Sequence, residues 1–310
     1  MRAIGVTGGA GFIGGYVTRA LRAAGYEVVT FDRWGHAPDG ATAFLGDVRD
    51  EVAVTEFAAH VDGIIHLAAV LGTQETIANP RPAAHTNILG TLNVFEAAAQ
   101  YGLPVVNAAV GNARIGRGTY CITKTCAEDF VAMYNEDRGQ RFVSVRPVNA
   151  YGPGQKAPAP WGSSKVRKIM PTFILSALTG QPIPLYGGGV QISDMVNVRD
   201  VARCFVAALE LAASTKPLPN RPIEVGPAES HTVREVADLV LRACGRSSHD
   251  VEMLPMRPGE PPASVVKADI NTMRVINLDP HRFTPLDEGI AQTVDYYRTT
   301  EGKTWQRPSA

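Results

Sequence analysis

The chain has 310 residues, 45% of them hydrophobic, and its 30 Lys+Arg are balanced by 30 Asp+Glu. A chain of this length buries about 75% of its unfolded surface, enough for one large domain or two interleaved ones, and zero net charge gives no field to recruit nucleic acid or an anionic membrane. No eighteen-residue apolar run offers a membrane span, and the N-terminus reads as a core strand rather than a signal peptide, so a cytoplasmic location is expected.

Arg2 to Thr7 reads as a short buried strand through Ala3, Ile4 and Val6. Thr-Gly-Gly-Ala-Gly-Phe-Ile-Gly follows and runs into an apolar-periodic stretch, predicting a helix over about 12–24. Strand, glycine turn and helix in this order form a dinucleotide loop. Backbone at Gly8, Gly11, Phe12, Ile13 and Gly14 approaches a pyrophosphate, whose charge is met by free amides and the positive helix end. A second strand, Glu27 to Phe31, ends at Asp32, about twenty residues beyond the loop, where a carboxylate accepts both ribose hydroxyls and repels a 2'-phosphate. NAD is favoured over NADP, a preference tempered by Arg33.

Further strands are expected at about 63–67, 104–109 and 142–147, with helical patterns at about 51–59, 83–101 and 119–137. The alternation predicts an α/β fold, a Rossmann-type doubly wound parallel sheet with nucleotides across the carboxyl ends of its strands. From Tyr151 the texture changes: Gly152-Pro153-Gly154 and Pro158-Ala159-Pro160 punctuate a loop. Then come an apolar segment Ile169 to Leu178, a Gly187-Gly188-Gly189 turn, a strand-like Gln191 to Val198 and a helix-like Val201 to Ala213. A strand around Arg221 to Val225 and a helix opening on the capping box Thr232 to Glu235 and stopping at Gly245 complete the reading. Residues 1–150 are expected to form the NAD-binding domain, with about 190–213 returning to it. Residues 151–310 supply mainly a smaller, interleaved substrate-binding α/β region.

Chemistry enters at Tyr120 and Lys124, four apart and so on one helical face. A phenol titrates near pKa ~10 and an effective base near neutrality, so about 4 kcal/mol of phenolate stabilisation is needed. A lysine ammonium one turn away supplies much of it on this reading, and an oxidised nicotinamide adds to it. Cys121, Cys126, Cys204 and Cys244 are scattered without a Cys-x-x-Cys pair, as for reduced thiols. The histidines show no ligand spacing, so no metal is expected.

Together these residues resemble the extended short-chain dehydrogenase/reductase family, the group that contains UDP-galactose 4-epimerase and other NAD-dependent nucleotide-sugar epimerases and dehydratases. Beyond the glycine loop and Tyr120 to Lys124, the resemblance includes Gly46-Asp47-Val48, His66-Leu67-Ala68-Ala69, Asn87-Ile88-Leu89-Gly90-Thr91, Arg146 to Pro153 and Arg257-Pro258-Gly259-Glu260. It implies that Asp47 and Val48 meet the adenine, that Leu67, Ala68, Ala69 and Asn87 lie under the cofactor, and that Pro147 sits beside the nicotinamide. Asn149 and Arg257 would meet the sugar-diphosphate. The basic triplet Lys165, Arg167 and Lys168 reads as a solvated loop, with Lys165 and Arg167 kept as candidate substrate contacts. Relatives commonly dimerise through the helix of the Tyr/Lys pair and its neighbour, so a homodimer is expected, with Leu92, Phe95, Phe130, Val131 and Tyr134 either as its apolar surface or buried within one subunit.

Two departures narrow the reaction. Where the family usually carries a serine or threonine against the reacting sugar oxygen, Val105 to Asn112 has no hydroxyl, leaving Thr119, Thr123 or an asparagine to substitute. Val105 to Lys124 also has no Asp or Glu, whereas the group's dehydratases and decarboxylases place acids there. At Gln191-Ile192-Ser193-Asp194 a serine stands where an arginine commonly grips nucleotide. The expected activity is nucleotide-sugar 4-epimerisation through a 4-keto sugar. The alternatives are a net dehydrogenase or reductase and, in another class, an NAD-binding regulatory module without turnover.

Overall fold

The computed structural model describes residues 1–301 apart from 36, 39, 73–74, 112–117 and 257–262. Its first half runs β1 (Ala3–Thr7), α1 (Phe12–Ala23), β2 (Glu27–Asp32), β3 (Thr42–Leu45), α2 (Glu51–Ala58) and β4 (Ile64–His66). Next come α3 (Arg81–Ala84), a π-helical segment (His85–Leu89), α4 (Gly90–Tyr101), β5 (Val105–Ala108), α5 (Thr119–Arg138) and β6 (Phe142–Pro147). The second half contains β7 (Asn149–Tyr151), α6 (Ile169–Leu178), β8 (Ile183–Tyr186), β9 (Ile192–Ser193), β10 (Met195–Asn197) and α7 (Val198–Ala213). It ends with β11 (Ile223–Val225), α8 (Val233–Ala243), β12 (Val251–Leu254), β13 (Val265–Val266) and α9 (Leu286–Tyr296).

Seven strands make one parallel sheet in the order β11-β6-β5-β4-β1-β2-β3. Strand order reverses between β1 and β4, so the crevice for a ligand opens at their carboxyl ends. The sheet is covered on both faces. Val17 and Leu21 of α1 pack with Val201, Phe205 and Leu209 of α7 in one core; Phe57 of α2, Val94 and Phe95 of α4 and Tyr134 of α5 fill another. A third core, from α6, α8 and α9, holds Phe173, Ile174, Val240, Leu241, Ile290 and Val294. Among the described residues no helix is long and apolar enough to cross a membrane.

Several elements differ from the sequence reading. The expected single strand over 191–198 is two short strands parted at Asp194, and α7 starts at Val198 because Asn197 caps it, accepting the Arg199 amide at 3.0 Å. The helix expected over 83–101 runs from Arg81 to Tyr101, with its turn His85–Leu89 π-helical rather than α. The strand near 221–225, read with the second half, completes the main sheet beside β6. Phe95, Val131 and Tyr134, open between a dimer surface and the interior, are core residues at 0%, 7% and 0% exposure. Phe95, Tyr134 and Phe142 have ring centroids 5.0–5.5 Å apart and pack under the sheet, while Leu89 and Ile122 are large apolar side chains exposed on this side.

Candidate active site

A cavity of about 460 Å³ opens across the carboxyl ends of the sheet. At one end it is lined by Gly8, Gly11, Phe12, Ile13 and Gly14, by Asp32 and Arg33 after β2, and by Asp47 and Val48 after β3. At the other end lie Leu67, Ala68 and Ala69 after β4, Ala108 to Gly111 after β5, Tyr120 and Lys124 on α5, and Pro147 to Tyr151 after β6.

The glycine end fits a dinucleotide's diphosphate. Gly8 has φ +70, and a Cβ there would lie 2.8 Å from the Ala68 amide nitrogen, so only glycine lets β1 turn this close to the end of β4. The first turn of α1 carries no acid, and its N-cap, Gly11, offers no side chain, which leaves the positive helix end open to an anion. Asp32 holds the loop against β2, accepting the Ala10 amide at 3.1 Å and the Trp34 amide at 3.2 Å. Arg33 leans toward Asp47 at 4.0 Å, and the Arg49 guanidinium, bonded to both Asp47 oxygens, holds that carboxyl below the usual carboxylate range.

Beneath Ala68 lies a buried polar chain. Thr91 Oγ1 donates to the Asn87 carbonyl at 2.7 Å and therefore accepts from His66 Nε2 at 3.0 Å. His66 Nδ1 then accepts from Thr7 Oγ1 at 2.7 Å, and Thr7 Oγ1 accepts the Leu67 and Ala68 amides at 3.2 and 3.3 Å. Burial drives the imidazole down to about 3, Lys124 adding to the fall, so His66 is a neutral strut joining β1, β4 and α4.

Asn87, expected under the cofactor, is fully buried and outside the cavity lining. Its side chain accepts the Val70 amide at 2.8 Å, donates to the Val70 carbonyl at 3.0 Å and donates to Thr123 Oγ1 at 3.1 Å. Thr123 in turn donates to the Tyr120 carbonyl at 3.0 Å. Asn87 thus ties the loop after β4 to the first turn of α5. Thr123, once a candidate donor, is committed to this tie.

Electrostatics at the pair run against the expectation that lysine brings the phenol down. Burial pushes the Tyr120 phenol above its ordinary range, with Cys121 adding to the rise. Burial also drives Lys124 down to about 8, opposed by Glu128. Desolvation wins for both groups because both lose water together. Lys124, at about 8, still favours its protonated form at pH 7.

Toward the second half, Asn149 lines the cavity and donates to Ser193 Oγ at 2.9 Å and to the Asp194 carbonyl at 3.0 Å. Ser193, outside the lining, serves as a support for Asn149. Thr119, Lys165 and Arg167 do not line the cavity; Lys156 and Lys168 do, with Gln155, Met170 and Met195. Arg257 lies outside the described residues. Thr86, on the π segment, also lines the cavity and was not singled out from the sequence.

A model of the NAD dependent epimerase/dehydratase family matches residues 4–226. A dTDP-glucose 4,6-dehydratase of Mycolicibacterium smegmatis is 27% identical over 98% of this chain and 95% of its own length. A putative UDP-glucose 4-epimerase of Methanocaldococcus jannaschii is 26% identical over 94% of this chain and 97% of its own. Among solved structures, the Thermus thermophilus UDP-glucose 4-epimerase in complex with NAD has 30% identity and a TM-score of 0.80, covering 96% of this chain and 99% of that one.

Proposed function

The chain belongs to the NAD-dependent epimerase/dehydratase family, and from that premise we propose that it is a nucleotide-sugar 4-epimerase. The observation that carries this reading is the distribution of acids. Among the described cavity-lining residues the carboxylates are Asp32 and Asp47, both at the glycine end, and residues 112–117 contain no acid in the sequence. Dehydration needs a second proton carrier beside the sugar, and among the described lining residues no carboxylate accompanies Tyr120. One proton shuttle suffices for oxidation at C4 and re-reduction from the other face.

NAD, when bound, supplies the hydride acceptor and returns the hydride. Gly8, Gly11 and Gly14 with the first turn of α1 hold its diphosphate and Asp32 its ribose. Tyr120 takes the C4 hydroxyl proton and gives it back, Lys124 stabilises the phenolate, and Asn149, Lys156 and Lys168 meet the substrate diphosphate. Incubation with UDP-, dTDP-, GDP- and CDP-sugars under catalytic NAD is the test. A 4-epimer is expected from at least one, whereas stoichiometric NADH without a 4-epimer would replace this reading by a net dehydrogenase.

Thr86 takes the place of the missing hydroxyl. It is the one Ser or Thr among the described lining residues, and Val105 to Gly118 contains none in the sequence. Tyr151, which also lines the cavity, donates its hydroxyl to the Leu286 carbonyl at 3.4 Å. Thr86→Val is expected to lower kcat about 10²- to 10³-fold, by analogy with loss of one oxyanion donor, while Thr86→Ser keeps most of the rate. A Thr86→Val enzyme of unchanged kcat would remove Thr86 from the reaction. The same reading includes a homodimer through the π segment, α4 and α5, with Leu89 and Ile122 as exposed apolar side chains; sedimentation as a monomer at micromolar concentration would contradict it.

A further inference from the structure

Behind Tyr120 and Lys124 lies a row of buried charges that proton transfer does not consume. Lys124 is 1% exposed, and one turn along α5 Glu128 is 8% exposed. Arg146, on β6, grips both oxygens of Glu128, Nε to Oε1 at 2.8 Å and Nη2 to Oε2. Its Nη1 reaches Glu224 Oε1 on β11 at 3.3 Å, and Glu224 Oε2 accepts the Asp269 amide at 2.7 Å. Lysine, glutamate, arginine and glutamate alternate in sign and sum to zero, the condition under which four ionic groups share a low-dielectric interior. The string runs from the proton-transfer pair across β6 to β11, the edge strand beside it.

We propose that Glu128 is a positioning residue that fixes the charge on Lys124, and that Arg146 sets how strongly it does so. The proposal rests on the reading of Lys124 as the charge partner of the phenol. Positions i and i+4 on α5 share a face, and Glu128 is the anion that holds the Lys124 ammonium up at about 8 against its burial. Other neighbours of Lys124 do not supply that charge. His66 on β4 is neutral, β5 faces α5 with the uncharged Asn107, and burial keeps Tyr120 and Cys121 protonated on α5 itself. Arg81 on α3 and His85 on the π segment are exposed. Arg146 draws on the same carboxylate from β6, so the field that Glu128 exerts on Lys124 is what its fork with Arg146 leaves uncompensated.

This geometry demands opposite signs from two substitutions in one buried pair. Glu128→Gln removes the anion that raises Lys124 against its burial, and Lys124 should give up its proton more readily. Arg146→Met releases an uncompensated carboxylate beside Lys124, and Lys124 should hold its proton more firmly. A purely structural ion pair would make both variants fail alike. The experiment follows lysine side-chain ¹³C signals against pH in the NAD-loaded full-length chain, which has only seven lysines; Lys124→Met assigns the signal. Glu128→Gln is expected to move the Lys124 midpoint down by about one to three pH units, as for loss of a nearby opposite charge. Arg146→Met moves it up, and the double variant returns it close to wild type. The alkaline limb of kcat should move in the same sense.

Glu128→Asp and Arg146→Lys carry the same opposed signs at smaller amplitude and serve where a charge-removing variant does not fold. Two folded variants that shift Lys124 in the same direction, or a folded Glu128 variant that leaves it unmoved, would overturn the proposal. The titration is read without substrate. Opposed shifts in a chain that interconverts no nucleotide sugar would therefore keep this proposal and sink the functional reading instead.

Discussion

Replacing Tyr120 by phenylalanine is expected to lower kcat by about 10²- to 10⁴-fold, the range lost when a positioned acid/base is removed, with NAD affinity close to wild type. The substitution removes one oxygen and keeps the ring, so α5, the tie from Asn87 through Thr123 and the cavity wall stay as they are. The size of the loss follows from the scarcity of alternatives. The acids that line the cavity among the described residues are Asp32 and Asp47 at the glycine end, and Thr86 is too weak a base to take over.

The pH dependence carries a definite sign. Burial holds the free phenol above its ordinary range, so phenolate forms only when positive charge is brought to it. Bound oxidised NAD would bring that charge, and Lys124, at about 8, would add to it below pH 8 and lose its share above. Wild-type kcat should therefore fall on the alkaline side through Lys124. Phenolate formation sets the acid limb, so in Tyr120→Phe that limb should disappear. Single-turnover NADH absorbance and steady-state kcat between pH 5.5 and 9.5, a span of about four units bracketing the unperturbed His-to-Lys range, would check both. A Tyr120→Phe protein within about tenfold of wild type would leave the phenol outside the chemistry.

What could be read from the sequence was what local chemistry dictates. Gly8, Gly11 and Gly14 sit between a buried strand and an amphipathic helix, and Asp32 ends the next strand; each depends on neighbours a few residues away. Tyr120 and Lys124 share a face because the helical period requires it. The register that brings these segments to one cavity then follows from parallel pairing, since β1, β2, β4, β5 and β6 all end on the same side.

What escaped depends on partners distant in the chain. In β3 every residue but Phe44 is exposed and the alternation is weak; it is a strand because β2 offers it an edge. α9 follows Pro285 and is fixed by Ile290 and Val294 packing into the third core. Phe95, Val131 and Tyr134 were open between a dimer surface and the interior because periodicity gives a helix an apolar face without saying which neighbour covers it; they pack in the core with Phe142 of β6. In the basic triplet the third member, Lys168, lines the cavity and Lys165 and Arg167 do not. The loop before α6 has no period to set which side chain turns inward. Asn87 was taken for a cofactor contact because its partners, Val70 and Thr123, are far from it in sequence.

Gly14→Ala is expected to reduce NAD affinity by more than about 100-fold, as loss of several kcal/mol of diphosphate contact would, and to lower the melting temperature. A Cβ at Gly14 would press on the Gly8 carbonyl oxygen and lie 2.8 Å from Gly9 Cα and 3.0 Å from the Gly8 carbonyl carbon. All three are backbone, and that backbone has nowhere to go. Gly8 donates to the Phe31 carbonyl at 2.9 Å, Gly11 donates to the Gly8 carbonyl at 3.0 Å, and Asp32 holds the Ala10 amide. The start of α1 must then move outward, taking its free amides away from the diphosphate. Alanine's better helix propensity contributes about 1 kcal/mol in the opposite direction, and overpacking of about 1–3 kcal/mol outweighs it. Gly15 provides the control on the same helix turn. A Cβ there meets nothing nearer than the Arg19 guanidinium at 3.9 Å, so Gly15→Ala should keep NAD binding and raise the melting temperature through propensity alone. Isothermal titration with NAD and a thermal melt on the two variants separate the cases. Wild-type NAD affinity in Gly14→Ala would mean that the diphosphate is not held by the glycine turn and the first turn of α1.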